Sequence, residues 1–355
     1  MPRLGLASLA SGWRGLGMFW AAVLVLLTAG GITLQMLGPP AQAPARPAAA
    51  VAQAPQVQTA KPAVPAQPPP AQAANTPRPG RDTPGPITDP DPALLEPQSE
   101  QGGNPLPQIA ADGRMPMQVY AAGFDRTTRR PRVGLVLAGV GLNQADSDVA
   151  VRMLPRGITL AISPYADNLA KLLAAARAAE HEYLLSLPME PQGFPLNDPG
   201  PQAMMTNLPP EQNRQRLEWA MTRIAGYVGV TDALGAMRGE RFAAQPDQMK
   251  QVLSELARRG LLYVDARPGT APPPFVWGTT IDMVIDEPAT AAEIDDRLGQ
   301  LTKLARDKGS ALGLATTVRP VTVRRIAVWA NGLAADGLAL APVSALVQPP
   351  AATAQ

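Results

Sequence analysis

Residues Glu182–Gly235 read EYLLSLPMEPQGFPLNDPGPQAMMTNLPPEQNRQRLEWAMTRIAGYVGVTDALG. This order predicts a strand at Tyr183–Leu187, a loop broken by prolines, an amphipathic helix and a second strand at Tyr227–Thr231. In proteins built from alternating strands and helices, ligands bind where the strands end and the helices begin. We therefore expect functional side chains around the loop that opens at Pro188.

The rest of the folded part repeats this alternation. An amphipathic helix is indicated by Met249, Val252 and Leu256 at helical spacing, with Gly260 as its stop. Regular alternation over residues 131–348 predicts one α/β barrel-like domain, followed by a tail at 349–355; the pattern leaves a doubly wound open sheet as an alternative. The other candidate strands are short apolar runs, typical of strands buried on both faces of a parallel sheet: Val133–Leu137, Ile158–Ile162, Leu261–Asp265, Ile281–Ile285, Ala311–Ala315 and Leu338–Ala341.

The N-terminal region divides into a basic start and an uncharged apolar run. Residues 1–14 carry Arg3 and Arg14 without an acid, and no charged residue lies between Gly15 and Ala45. A helix needs about 20 apolar residues to cross a bilayer core, so residues 15–37 are predicted to be a transmembrane anchor. The arginines predict a cytoplasmic tail and a periplasmic domain held by a single pass at the inner membrane. A cleaved signal peptide is the alternative.

A proline-rich segment separates this run from the folded part. Residues 38–130 are dominated by Pro, Ala and Gln. Such a segment has too few large apolar side chains to offset the entropy lost on ordering, so it is predicted to be a disordered linker. A PxxP-type docking segment is the alternative.

Composition excludes several classes of function. The net charge of +2 gives no field for binding a polyanion, so no nucleic-acid partner is predicted. The chain has no cysteine, and its only histidine, His181, is interpreted as a helix-terminal residue near the helix dipole. One histidine and no thiolate do not supply a zinc site of nitrogen and sulfur ligands. The pair Gly139 and Gly141 lacks the third glycine of a dinucleotide fingerprint.

Several short motifs occur together along the folded part. They are Leu187–Pro191 (LPMEP), Asn197–Pro201 (NDPGP), Gly226–Val230 (GYVGV), Pro164–Ala166 (PYA), Tyr263–Arg267 (YVDAR), Asp282–Glu287 (DMVIDE), Gly309–Ala311 (GSA) and Pro342–Leu346 (PVSAL). With these motifs the chain resembles the divergent polysaccharide deacetylases, a branch of the NodB-like carbohydrate esterases, over residues 132–348. The resemblance implies a NodB-like distorted (β/α) barrel and, in active members, metal-assisted removal of acetyl groups from an envelope polysaccharide.

The same resemblance shows where the expected catalytic groups are missing. Where relatives end their first strand with Asp-Asp-Leu-Gly, this chain has Ala138 and Gly139. Where relatives carry histidines, in an Asn-His-Met-Gly pattern and near the C-terminus, it has Ala233 and Leu314, and Ser186 replaces another frequent histidine. Deacetylation of this kind needs a carboxylate base and a bound cation. The resemblance therefore implies a pseudoenzyme with no cofactor or metal.

Polar groups nevertheless follow several candidate strands: Glu190, Asp232, Asp265, Arg267 and Asp286. Carboxylates and guanidinium groups hydrogen-bond sugar hydroxyls well, so these residues are predicted to form a glycan-contacting cleft. The alternatives are an ion-pair network that closes the top of the barrel, or an Asp265–Asp286 carboxylate pair for hydrolysis.

Three functions follow as expectations. The first is a membrane-anchored, catalytically inactive domain that binds an envelope polysaccharide or an envelope protein. The second is an active carbohydrate deacetylase or hydrolase that uses the remaining carboxylates, with a weakly held hard cation. The third is a structural protein that uses the barrel as a docking surface.

Overall fold

The computed structural model describes Trp20, residues 78–97 and residues 104–350. The chain divides into two units, residues 1–70 and residues 71–355, and the α/β domain belongs to the second. Apart from Trp20, the predicted anchor at 15–37 lies outside the described residues, as do the predicted basic tail and linker residues 38–77. In the part of the chain that the structure describes, no helix combines the length and apolarity that a membrane crossing requires.

Parallel strands form the centre of the domain. In chain order they are β1 (Arg132–Val140), β2 (Ile158–Ile162), β3 (Tyr183–Ser186), β4 (Gly229–Thr231), β5 (Leu262–Asp265), β6 (Gly278–Thr280), β7 (Met283–Val284), β8 (Ser310–Ala315) and β9 (Ala339–Leu340). The sheet order is β6-β5-β4-β3-β2-β1-β8-β7, and β9 pairs with the start of β1. This α/β arrangement of a curled parallel sheet is consistent with the expected NodB-like barrel.

Helices follow most strands and pack on the outside of the sheet. They are α1 (Pro116–Val119), α2 (Gln144–Met153), α3 (Leu169–Ala178), α4 (Pro210–Met221), α5 (Glu240–Ala243), α6 (Pro246–Arg258), α7 (Ala291–Lys308) and α8 (Pro320–Gly332). The residues at the starts of several helices favour helix initiation. Helices α4, α6 and α8 begin with proline, and the Asn143 side chain caps α2 by accepting the Asp146 N–H. The predicted face of α6, including Met249, Val252 and Leu256, is buried.

The two edges of the sheet are joined by one continuous stretch. The Ile281 N–H donates to the Asp265 carbonyl at 3.0 Å, and the next N–H, of Asp282, donates to the Leu312 carbonyl at 2.8 Å. Within two residues, this stretch therefore changes its hydrogen-bond partner from β5 to β8. The predicted strand at Ile281–Ile285 is shortened to β7 (Met283–Val284), which pairs with β8, because the residues just before it, β6 (Gly278–Thr280), pair with β5 instead.

Successive side chains along a strand point to opposite faces of the sheet and therefore belong to two separate cores. Leu135 and Tyr183 belong to an outer core between the sheet and the helices. Val136, Leu184 and Val264 belong to an inner core within the curl of the sheet. Side chains on both faces of the strands are thus buried, as expected for a parallel sheet covered on both sides.

The inner core is completed by residues that precede β1. Leu94, Met117 and Tyr120 are at most 3% exposed and pack into it. The prediction of a disordered linker at 38–130 is therefore corrected for residues 78–97 and 104–124. Their scattered apolar residues follow neither strand nor helix periodicity, so the sequence pattern did not reveal that they fill the barrel.

Candidate functional site

The carboxyl ends of β1, β4 and β8 converge at Gly139, Gly235 and Thr316. A Cβ atom added to Gly139 would lie 3.6 Å from the Gly235 Cα and 3.5 Å from the Thr316 carbonyl oxygen. Both glycines have positive φ, of 75° and 59°, a conformation that side chains other than glycine rarely adopt. The point where relatives are expected to hold base and metal is thus a surface of backbone atoms.

An apolar side chain lies over these glycines. The Leu142 Cδ1 is 3.8 Å from the Cβ position of Gly139 and 3.9 Å from that of Gly235. Leu142 is nevertheless 57% exposed, so it borders the mouth of the barrel without being enclosed. The mouth therefore presents an apolar group and backbone atoms at the place where the resemblance implies carboxylates and histidines.

The other substituted positions lie deeper than the mouth. Ala138, Ala233 and Leu314 are buried, at most 1% exposed, in the inner core. Leu314 lies within β8 and pairs with Val136 and Val284, so the residue that follows the strand end is Thr316.

These residues do not fit a bound metal. Across residues 78–97 and 104–350, the structure shows no group of three or more His, Cys, Asp or Glu side chains arranged to hold a metal ion. Ser186 has a buried hydroxyl without a hydrogen-bond partner in this part of the chain. One hydroxyl is too few donors, because catalytic zinc sites use three protein ligands. The single histidine is buried elsewhere, with its Nδ1 2.9 Å from the Ile158 carbonyl oxygen.

Two of the predicted cleft residues bind the protein itself. Asp286 accepts four hydrogen bonds, from the backbone N–H and the hydroxyl of both Thr316 and Thr317, at 2.8 to 3.2 Å. Glu190 accepts the Thr206 N–H and hydroxyl through Oε2 and pairs with Arg241 through Oε1 at 3.0 Å. Both carboxylates therefore hold loops at the strand ends. Asp286 is occupied on both oxygens, which argues against a catalytic pair with Asp265.

The other three predicted residues come together on the outer face of β4 and β5. Tyr263 belongs to the outer core, so Asp265, two residues later in β5, also faces the helix layer. Arg267 binds Asp265 with two parallel hydrogen bonds, of 2.9 and 2.6 Å. Asp232 accepts the Ala266 N–H at 2.7 Å. Asp265 and Arg267 form an ion pair on this outer face, which is not the predicted network across the top of the barrel, and the five predicted residues do not form one cleft.

Burial raises the pKa of two side chains in this outer cluster, those of Asp232 and Tyr263. It raises the pKa of Asp232 well above its usual range, and the neighbouring Asp265 carboxylate raises it further. Burial likewise raises the pKa of Tyr263, with a smaller contribution from both aspartates. The Asp232 Oδ2 and the Tyr263 hydroxyl have no hydrogen-bond partner in the described part of the chain. Burial thus favours the neutral form of Asp232, which lies next to the Asp265–Arg267 ion pair.

Comparison with known proteins decides the family. The family model described as divergent polysaccharide deacetylase matches residues 135–347, more than half of the chain. The chain belongs to the divergent polysaccharide deacetylase family. A crystal structure of an uncharacterized protein from Agrobacterium tumefaciens C58 is similar to this family member at 32% identity and a TM-score of 0.64, covering 69% of this chain and 100% of that one.

A second solved structure is more distant. The catalytic domain of a peptidoglycan N-acetylglucosamine deacetylase from Eubacterium rectale aligns with this chain at 9% identity and a TM-score of 0.40, over 64% of this chain and 94% of that one. No curated protein matches the chain.

Sequence reasoning missed one polar residue of this family member. Glu182 is fully buried at the start of β3, where it binds three other chain segments. A charged residue directly before the apolar run Tyr183–Leu187 is the signal that points to it.

Proposed function

We propose that this protein is a deacetylase-family domain that binds envelope polysaccharide without deacetylating it. The observation that carries the proposal is the convergence of Gly139, Gly235 and Thr316 at the mouth of the barrel. The family membership supports a carbohydrate ligand, and the side chains at the mouth offer no base and no set of metal ligands.

The chemical requirements of deacetylation explain why this arrangement favours binding without hydrolysis. Amide hydrolysis of this type needs a cation to polarise the carbonyl group and a positioned base to activate water. Glycine supplies neither group, and the nearby Asp286 carboxylate already accepts four hydrogen bonds from Thr316 and Thr317. Asp232 and Asp265 belong to the outer face of the sheet, away from the mouth. A ligand held here meets no group that would attack it.

The proposal is tested with the full chain, purified and dialysed. Metal content is measured by elemental analysis, and acetate release is measured from acetylated chitooligosaccharide and from peptidoglycan fragments. Calorimetric titration with the same glycans measures binding. We expect less than one metal ion per chain, no acetate and saturable binding.

Two other results are informative. Stoichiometric metal that resists dialysis, together with acetate release abolished by Asp265→Ala or Asp286→Ala, would establish an active enzyme. Absence of binding to every glycan, with no acetate release, would favour a docking surface for an envelope protein.

We also propose that residues 15–37 anchor the protein in the inner membrane, with the domain in the periplasm. The support is the uncharged apolar run that follows Arg14. The full-length protein should then remain in the membrane fraction after a high-salt wash, and external protease should reach the domain only after the outer membrane is opened. A shortened, soluble form would show a cleaved signal peptide instead.

A further inference from the structure

A pocket of about 350 Å³ lies on the flank of the domain, between α6 and the loop that follows β5. Its walls are apolar, formed by Met249, Leu253 and Pro273 among others. Its polar lining includes Asp265 and Arg267, which the sequence predicted as glycan contacts, and Lys250 from α6. Two of the five predicted contacts thus line a concavity, on the flank of the barrel and not at its mouth.

An aromatic ring stands at the edge of this flank pocket. Phe275 is 38% exposed, and its φ of 69° is in the left-handed region that phenylalanine seldom adopts. Such a conformation persists only when the surrounding structure enforces it, and residues of this kind cluster at ligand-binding sites. The Lys250 ammonium lies 5.8 Å from the ring centroid, a distance that permits a cation–π interaction. The ring is thereby held in a partly exposed position.

The charged groups of the flank pocket are balanced and have unused hydrogen-bonding capacity. Arg267 uses its Nε and Nη2 on Asp265, and its Nη1 donates to no side chain or carbonyl in the described part of the chain. Lys250 makes no hydrogen bond there, and Asp247, also in the lining, is exposed. Two cations and two carboxylates give no net charge. The pocket therefore suits a neutral ligand that is rich in hydroxyl groups.

We infer that the flank pocket binds a pyranose ring of the polysaccharide, an assignment that rests on the proposed function. The apolar C–H face of the sugar packs against Phe275 and the proline-lined wall. Its hydroxyl groups accept from Arg267 Nη1 and Lys250 and donate to Asp247, because charged partners give the stronger hydrogen bonds to a neutral ligand. The flank pocket then adds specificity for the glycan to the binding proposed at the mouth.

The test replaces the ring in the full chain while keeping the backbone conformation. Phe275→Asn removes the aromatic surface, and asparagine tolerates a positive φ better than most residues. Phe275→Trp retains an aromatic face. Val328→Asn is the matched control, since Val328 is 65% exposed on α8 and does not line this pocket. Binding of acetylated chitooligosaccharide and of peptidoglycan glycan fragments is measured by calorimetry for all four proteins.

We expect Phe275→Asn to weaken binding about tenfold, as truncation of a buried aromatic contact commonly does. Phe275→Trp and Val328→Asn should bind within about twofold of the original protein. Equal binding by Phe275→Asn and the original protein would overturn the pocket assignment and leave the proposed function intact. Absence of binding by the original protein would overturn both.

Discussion

The Glu182 carboxylate accepts the Ser344 hydroxyl at 2.6 Å and thereby joins the start of β3 to the last turn of the folded chain. The same carboxylate accepts the Ser344 N–H, the Thr159 hydroxyl and the Ala122 N–H, each at 3.0 Å. Four chain segments meet at this one side chain, which is fully buried. Burial raises the pKa of Glu182, although these hydrogen bonds favour its ionised form.

Removing this carboxylate should destabilise the whole domain. Glu182→Ala leaves several buried donors without an acceptor, so the free energy of unfolding should fall by about 3 kcal/mol. Chemical denaturation measures the change. Asp307→Ala, at an exposed position near the end of α7, is the control and should change the value by less than about 0.5 kcal/mol. Equal stabilities for the two variants would contradict the role assigned to Glu182.

The single histidine makes acid sensitivity testable. Burial lowers the pKa of His181 below its usual value of 6.5, so the folded state holds this imidazole neutral. A lowered folded-state pKa stabilises the protein above pH 6.5, and this contribution is lost as the pH falls through the folded-state pKa. The imidazole NMR signal, unambiguous because the chain has one histidine, should titrate below pH 6.5. A midpoint at or above pH 6.5 would show that the hydrogen bonds between the ring and backbone carbonyls raise the pKa of His181 by at least as much as burial lowers it.

Restoring one acid at the mouth should not restore a metal site. Gly139→Asp places a carboxyl group beside Gly235 and Thr316 without a clash below 3.4 Å at Cβ, and its cost through the positive φ is about 1 kcal/mol. Since neither neighbour supplies a side-chain ligand of the kind that zinc prefers, the variant should take up no zinc by elemental analysis. It should also show no thermal shift on zinc addition. Stoichiometric zinc in this variant would mean that the remaining side chains complete a site.

The folded unit should begin near Arg78. Residues 78–124 supply Leu94, Met117 and Tyr120 to the inner core. A fragment of residues 78–350 should therefore unfold cooperatively, and a fragment of residues 131–350 should expose the barrel interior and bind a hydrophobic dye. Limited proteolysis followed by mass spectrometry locates the boundary. A resistant fragment that starts at Arg130 would mean that the preceding residues only cover a core that is already stable.

The strand pattern could be predicted from sequence because both faces of most strands are buried. Ile158–Ile162 appears as β2 with the predicted bounds, and Ala311–Ala315 appears in β8 with one added residue. Continuous apolar runs identify such strands directly. The stretch at residues 278–285 was harder, because its change of partner from β5 to β8 leaves no mark on hydrophobicity.

The candidate site was predicted only in part. Family motifs identified Gly139 and Ala233 as positions without catalytic groups, since side-chain identity alone settles that point. The sequence did not reveal on which face of the sheet the Asp265 side chain lies, because the face of a strand residue is fixed only when the register of the strand is known. Phe275 lacked a signal as well, since a left-handed φ at a phenylalanine is a property of the folded loop.

The meeting of Ala122 and Ser344 at Glu182 has a consequence for synthesis on the ribosome. Ser344 is among the last residues of the domain to leave the exit tunnel, and β8, a partner of β1, emerges only shortly before it. Pairings between such distant parts of a chain form slowly. The nascent domain therefore carries an incomplete barrel through most of its translation, with apolar residues of its interior open to chaperones until β8 and the C-terminal turn arrive.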